Sequence, residues 1–180
     1  THSWVEKWNE ITEHYSAIDV IVCVHNSLDD VRECLGSIKT NTHAPYKLIL
    51  VDDGSDPPTR EFIKQFSITE HKCKLIRNDK ALGYTRAANL GMKASEAPFL
   101  VLLNSDTIVT PNWIDRLHRA ITRDEKNGVA GPLSNTASWQ SIPELGENGD
   151  WAENKLPSGV TVDKMGKLVA KYSGCIHPHV

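Results

Sequence analysis

Three short apolar runs, each followed by polar residues, constrain the fold of this chain more than any other feature of its sequence. The runs cover residues 19–24, 47–51 and 98–103, and they are rich in Val, Leu and Ile with little alternation. Continuous apolarity over such lengths predicts strands that are covered on both faces, as in a parallel sheet. We therefore expect the polar residues after each run to meet at one edge of the sheet, where open α/β sheets bind ligands.

Helical patterns lie between these runs. Residues 28–38 place Val31, Leu35 and Ile38 on one face, with Ser27 as the predicted N-cap. The same reasoning predicts further helices from Pro57, over 84–94, from Pro111 and over 160–170, and short strands over 72–76 and 128–131. Strands that alternate with helices predict a doubly wound α/β fold.

The predicted domain organisation has three parts. Residues 1–17 carry an apolar and aromatic stripe at helical spacing and predict an amphipathic helix, residues 18–131 form the core, and residues 132–180 are loop-rich. The chain starts without an initiator Met or a signal-peptide pattern and stops without a finished element, so we expect it to be part of a longer protein with further domains.

Charge and composition favour a small polar ligand. The formal net charge is −3 over 180 residues, which gives no general attraction to nucleic acid or anionic membranes, and no stretch is apolar enough to span a membrane. Four widely spaced cysteines form no CxxC pair and are predicted to be free thiols. Because acidic groups at one edge repel a bare phosphate, a nucleotide ligand would need a divalent cation, for which Asp106 is the candidate ligand.

Four motifs together resemble the inverting family 2 glycosyltransferases with the GT-A fold, over residues 18–143. They lie in the order typical of that family, at residues 22–26, 51–55, 78–91 and 103–106. The resemblance implies a Rossmann-like three-layer α/β/α sandwich with a mainly parallel central sheet, truncated in its C-terminal part. It also implies an enzyme that takes a sugar from a nucleotide-diphosphate sugar donor.

The resemblance implies a role for each motif in donor binding. Asp53 would accept a hydrogen bond from the ring N–H of the base, while Asp52 would orient the turn. His25 and Asn26 would frame the base, although a polar strand end with a satisfied histidine is the alternative. Asn78 belongs to the third motif.

Two further segments are assigned to the diphosphate. Gly83 precedes a helix whose first turn carries Arg86, and a guanidinium beside a helix N-terminus suits a diphosphate; a solvated surface arginine is the alternative. Asn104 and Ser105 lead to Asp106, where similar transferases carry an Asp-x-Asp motif that binds Mg²⁺ or Mn²⁺. Asn104 replaces the first carboxylate of that motif, which removes one charge.

The second half of such an enzyme is expected to supply the general base, beyond Val180, so no catalytic residue is named. The resemblance implies a saccharide or lipid-linked acceptor in bacterial cell-surface polysaccharide synthesis, at a cytoplasmic site on the inner face of the membrane. The donor remains open among dTDP-rhamnose, UDP-hexose and GDP-sugar. Trp139 either stacks on a sugar ring or anchors its loop to the core.

Two other functions remain as alternatives. A nucleotidyltransferase also places acidic turns at strand ends, but it would need a glycine-rich, lysine-bearing first loop, which the residues after Val24 do not provide. A non-catalytic module that binds carbohydrate or a partner would bind sugar without nucleotide.

Overall fold

A computed structural model describes residues 18–146 and 151–172, so the helix predicted over residues 1–17 lies outside the described part. The elements are β1 (Ile18–Val24), α1 (Leu28–Asn41), β2 (Lys47–Asp53), α2 (Pro57–Thr69), β3 (Cys73–Asn78), α3 (Tyr84–Ala94), β4 (Phe99–Asn104), α4 (Trp113–Thr122), β5 (Thr136–Ala137), β6 (Ala152–Glu153) and α5 (Val162–Tyr172). The chain divides into two compact units between Val109 and Thr110. The predicted boundary at residue 131 stays a prediction.

The first unit is built on a parallel four-stranded sheet. Its strand order is β3-β2-β1-β4, and β1 pairs with β2 and with β4 while β2 pairs with β3, all in parallel. The prediction of an α/β fold with a parallel sheet is therefore confirmed. All four carboxyl ends lie at one edge, since the strands run in the same direction.

Both faces of the central strands are covered. Val20 and Val22 point to one face of β1 and Ile21 to the other, and all three are fully buried. Helix α3 packs closely on the face of Ile21, because a Cβ at Gly91 would overlap the Cγ2 methyl group of Ile21. This two-sided burial explains why β1 and β2 read as continuous apolar runs. The prediction of two covered faces is wrong for the edge strand β4, where Leu100 and Leu102 are 41% and 42% exposed.

Helix α1 starts after two residues in the left-handed region. Asn26 has a φ of 60° and Ser27 a φ of 55°, and the Ser27 side chain makes no capping hydrogen bond. Ser27 is the N-cap residue, as predicted, and Val31 N donates to its carbonyl oxygen at 3.0 Å. Its side chain does not cap, because a capping side chain needs an extended backbone to reach the amides of the first turn. Helix α2 does have a side-chain cap, because Thr59 N donates to Asp56 Oδ1 at 3.0 Å.

The second unit contains α4, α5 and a small antiparallel ribbon of β5 and β6. Thr136 pairs with Glu153 and Ala137 with Ala152. The strand predicted over residues 128–131 does not form, and Val129 is 90% exposed. Glycines at both ends of that segment weaken a strand, because they have no side chain to pack. The two-residue strands β5 and β6 were not predicted, because they are too short to show a period in the sequence.

Candidate ligand site at the carboxyl edge of the sheet

The turn after β2 is held by the buried carboxylate of Asp52. Ser55 N donates to Asp52 Oδ1 at 2.9 Å, and Arg77 from β3 forms an ion pair with Oδ2. Both oxygens of Asp52 are thus bound within the protein, and its side chain is 1% exposed. Its role is to orient the turn, as the sequence indicated.

The neighbouring carboxylate of Asp53 binds the loop that precedes α3. Its Oδ1 accepts from Asn78 Nδ2 at 2.8 Å and from Leu82 N at 2.9 Å. Its Oδ2 accepts from Leu82 N at 3.0 Å and from Gly83 N at 2.8 Å. Burial alone would raise the pKa of Asp53, but these N–H donors and the nearby His25 hold it below its ordinary value of 3.8.

Residues 79–83 lie directly on the turn after β2. Gly54 has a φ of 73°, and a Cβ there would lie 2.5 Å from Ala81 N and 2.7 Å from the carbonyl carbon of Lys80. Position 54 therefore needs glycine both for its backbone conformation and for the close approach of the loop. Gly83, with a φ of 90°, then leads the chain into α3.

His25 and Asn26 join the end of β1 to the turn after β2. His25 Nδ1 lies 2.9 Å from the carbonyl oxygen of Asp53, which can only accept, so Nδ1 carries the proton. Asn26 N donates to Ser55 Oγ at 3.1 Å, and Asp56 N donates to Asn26 Oδ1 at 2.8 Å. Asn26 thus binds protein groups, while the exposed ring of His25 faces solvent.

A cavity of about 170 Å³ opens where these segments meet. Its lining comes from β1, β2, the loop before α3 and α3 itself: Cys23, Val24, His25, Asp53, Ala81, Gly83, Tyr84 and Ala87. Pockets for drug-sized ligands measure about 300–1,000 Å³, so this one suits a single ring rather than a whole nucleotide.

Tyr84 and Cys23 line this cavity but were not predicted as site residues. Tyr84 could have been predicted as a site residue, because it directly follows Gly83 at the start of α3. Cys23 gave no signal, because it lies inside an apolar run. Burial and the charge of Asp53 raise the pKa of the Cys23 thiol to about 11, so it stays protonated at neutral pH.

The third acidic position lies at the same edge, at the end of β4. Thr107 N donates to the Asn104 carbonyl oxygen at 3.2 Å, which closes a turn with Ser105 and Asp106 at its centre. Asn104 is in register with Cys23 of β1, which separates β2 from β4. With strands about 4.8 Å apart, the ends of β2 and β4 lie about 10 Å from each other.

The residues at this edge suit a metal that is shared with a ligand. Among the described residues, no three His, Cys, Asp or Glu side chains are close enough to hold a metal ion. Asp106 is exposed at its turn and brings one carboxylate. One carboxylate is enough for Mg²⁺ or Mn²⁺ only where substrate phosphates and water supply the other ligands.

Arg86 lies in the first turn of α3, next to the cavity lining. Its backbone N–H donates to the Gly83 carbonyl oxygen at 3.1 Å, and its side chain is exposed. The first amides of a helix have no partner within the helix, and they favour negative charge. The Arg86 guanidinium and the amides at the very start of α3 therefore favour an anion at the carboxyl edge.

A larger cavity, of about 350 Å³, lies at the opposite edge of the sheet. It is lined by residues at the amino ends of strands, such as Asp19, Lys47 and Cys73, and it contains none of the predicted site residues. The structure therefore brings His25, Asn26, Asp53, Asn78, Gly83, Arg86, Asn104, Ser105 and Asp106 to one edge of the first unit. Trp139 belongs to the second unit.

Comparison with known proteins identifies the family. The family model described as glycosyl transferase family 2 matches residues 19–138. The chain belongs to this family. The matched range contains every residue assigned to the carboxyl edge.

Family 2 relatives include bacterial proteins. An uncharacterized glycosyltransferase of Haemophilus influenzae is 28% identical over 115 residues, which cover 64% of this chain and 35% of that protein. The glycosyltransferase GlyG of Streptococcus pneumoniae is 26% identical over 118 residues, 66% of this chain and 39% of GlyG. The chain thus spans little more than a third of the length of these family 2 relatives.

Solved structures share the fold of this family 2 chain. TarS residues 1–349 of Staphylococcus aureus match with a TM-score of 0.54 at 20% identity, over 69% of this chain and 43% of TarS. A mannosyltransferase from Pyrobaculum calidifontis, in complex with GDP-Man and Mn²⁺, matches with a TM-score of 0.51 at 20% identity, over 68% of this chain and 34% of that chain. The GT-A fold predicted from the sequence is confirmed.

Proposed function

We propose that this chain binds the nucleotide-diphosphate sugar donor of a glycosyltransferase, which transfers the sugar with inversion to a saccharide or lipid-linked acceptor. The observation that carries the proposal is the cavity at the carboxyl edge, where β1, β2 and the loop before α3 converge on Asp53. Family membership supports the reaction class. One neighbour in fold is a complex with GDP-Man and Mn²⁺, and a second structure of TarS contains UDP-GlcNAc.

The base of the donor would enter this cavity. Each oxygen of Asp53 already accepts two hydrogen bonds, but Leu82 N is shared between the two oxygens, so a ring N–H of the base would take the place of one of the two Leu82 contacts. His25 and Tyr84 line the same cavity and offer ring faces for stacking. Asn26 and Asn78 support the site by fixing the turn and the carboxylate.

The diphosphate would extend from the cavity toward the end of β4. Arg86 and the first amides of α3 can bind its oxygens, and Asn104 and Ser105 offer polar groups beside Asp106. Asp106 would hold Mg²⁺ or Mn²⁺, which as a Lewis acid stabilises the departing nucleoside diphosphate when bound. The distance of about 10 Å between the ends of β2 and β4 separates base binding from phosphate binding.

The cellular role in this proposal is bacterial cell-surface polysaccharide synthesis at the cytoplasmic face of the membrane. The glycosyltransferases among the bacterial relatives support the bacterial part of this role. Within residues 18–146 and 151–172, no helix has both the length and the apolar character that crossing a membrane requires.

Calorimetric titration of UDP, dTDP and GDP, each with Mn²⁺ and with EDTA, tests the proposal. We expect one nucleotide to bind more tightly with Mn²⁺, the metal effect to disappear in Asp106→Ala, and affinity to fall in Arg86→Ala. Asp124→Ala and Arg123→Ala are matched controls, because both side chains are exposed and belong to the second unit. Absence of binding by all three nucleotides, or equal loss in the controls, would contradict the proposal.

A further inference from the structure

Two tryptophans of the second unit are exposed to an extent that packing does not explain. Trp139 and Trp151 are each 72% exposed. A tryptophan that anchors a loop buries most of its ring against the core, because burial of the ring provides the anchoring energy. Neither ring is buried in that way within the second unit, so most of each ring is open to a ligand.

The segment that carries Trp139 is anchored by polar groups instead. Asn154 Nδ2 donates to Ser141 Oγ at 2.8 Å and to the Glu144 carbonyl oxygen at 3.0 Å, and Asn154 N donates to the Asn135 carbonyl oxygen at 2.8 Å. Ser141 is buried. These hydrogen bonds join residues 134–144 to Asn154, which directly follows β6.

Both rings lie at the same end of the ribbon. Ala137 of β5 pairs with Ala152 of β6; Trp139 follows Ala137 by two residues, and Trp151 directly precedes Ala152. In an antiparallel pair, the end of one strand lies beside the start of the other. Ser141 N donates to the Ser138 carbonyl oxygen at 3.2 Å and closes a turn, and Trp139 is one of the two central residues of that turn.

The polar groups around these rings match a neutral, hydroxyl-rich ligand. Gln140 is exposed next to Trp139, and its amide lies over Gly131, where a Cβ would come within 2.5 Å of Nε2. Glu153 of β6 lies two residues from Trp151, and residues 134–144 and 151–154 contain no Lys or Arg, Lys155 being the first cation after Trp151. Nucleic acid and phosphate groups require cations, whereas sugar hydroxyls donate to carboxylates and amides.

We propose that Trp139 and Trp151 form a saccharide-binding platform, with the apolar face of a pyranose on the indole rings and its hydroxyls on Gln140 and Glu153. The platform would receive the acceptor, and in that respect the inference rests on the proposed function. Binding of a saccharide at this ribbon does not require a nucleotide, so the two proposals can fail separately.

Saturation-transfer NMR tests the platform with the methyl α- and β-glycosides of glucose, galactose, mannose, rhamnose and N-acetylglucosamine. We expect transfer to the ring protons of at least one glycoside. Its affinity should fall at least about fivefold in Trp139→Ala and in Trp151→Ala, and further in the double variant. Tyr172→Ala is the matched control, because Tyr172 is an aromatic residue of the same unit with the same exposure, 72%.

Transfer to none of the glycosides, full binding by the double variant, or equal loss in Tyr172→Ala would overturn the platform. Nucleotide titration of the same samples separates the two proposals. Saccharide binding without nucleotide binding would refute the donor site and keep the platform, and the reverse would refute the platform alone. Thermal melting confirms folding of each variant, because removal of an exposed ring leaves the hydrogen bonds of the ribbon intact.

Discussion

Replacement of Asp53 by asparagine should loosen the loop before α3 and destabilise the first unit. The carboxylate is 4% exposed and accepts hydrogen bonds from Asn78, Leu82 and Gly83. The asparagine amide would keep one acceptor oxygen and would turn an NH₂ group toward N–H donors. Hydrogen bonds to charged groups contribute about 1.5–3 kcal/mol each, so the loss of one or two bonds predicts a destabilisation of about 1.5–6 kcal/mol.

Chemical denaturation at neutral pH, together with hydrogen exchange, measures the effect. We expect a lower unfolding midpoint and faster exchange of the amides of Leu82 and Gly83 in the variant. The matched control is Asp79→Asn, since Asp79 is exposed in the same loop. A change in stability of less than about 0.5 kcal/mol, which is typical of surface substitutions, with unchanged exchange at both amides would refute the reasoning.

The same carboxylate predicts a pH dependence. Its pKa in the folded protein lies below the ordinary value of 3.8, so ionised Asp53 stabilises the fold above that value. The contribution is lost as the pH falls below 3.8 and through the lowered pKa. The difference in unfolding free energy between the native protein and Asp53→Asn should therefore be greatest near neutral pH and should shrink in acid; a difference that stays constant would contradict it.

Two further predictions concern neighbours of the cavity. Gly54→Ala should lower the free energy of unfolding by about 1–3 kcal/mol in the same denaturation assay, because φ at position 54 is positive and the new Cβ would contact Ala81. Gly36→Ala is the control: Gly36 lies in α1 with open space around it, so this change should be neutral or stabilising. Cys23, with a pKa of about 11, should react with iodoacetamide at pH 8 about 100-fold more slowly than a thiol of pKa 9. Mass spectrometry of the labelled peptide measures the rate, and a rate equal to that of a free thiol would contradict the burial of Cys23.

The sequence determined the regular elements of the first unit because their signals are local. Helix α3 has the predicted bounds of 84–94, and the three apolar runs became β1, β2 and β4 of a parallel sheet. Strand ends were shifted by one or two residues, so that Asp52, Asp53 and Asn78 belong to strands instead of loops. Polar residues at strand ends give little local signal, because the ladder of a neighbouring strand decides where pairing stops.

Only the tertiary structure decided what each polar side chain binds. Asp53 and Leu82 are 29 residues apart, and no periodicity links them, yet their hydrogen bond defines the cavity. The sequence also did not determine the exposure of Trp139 and Trp151, because a tryptophan suits both stacking on a sugar ring and anchoring a loop. The sequence therefore determined which edge of the sheet carries polar groups, while long-range contacts determined which of those groups remain free for a ligand.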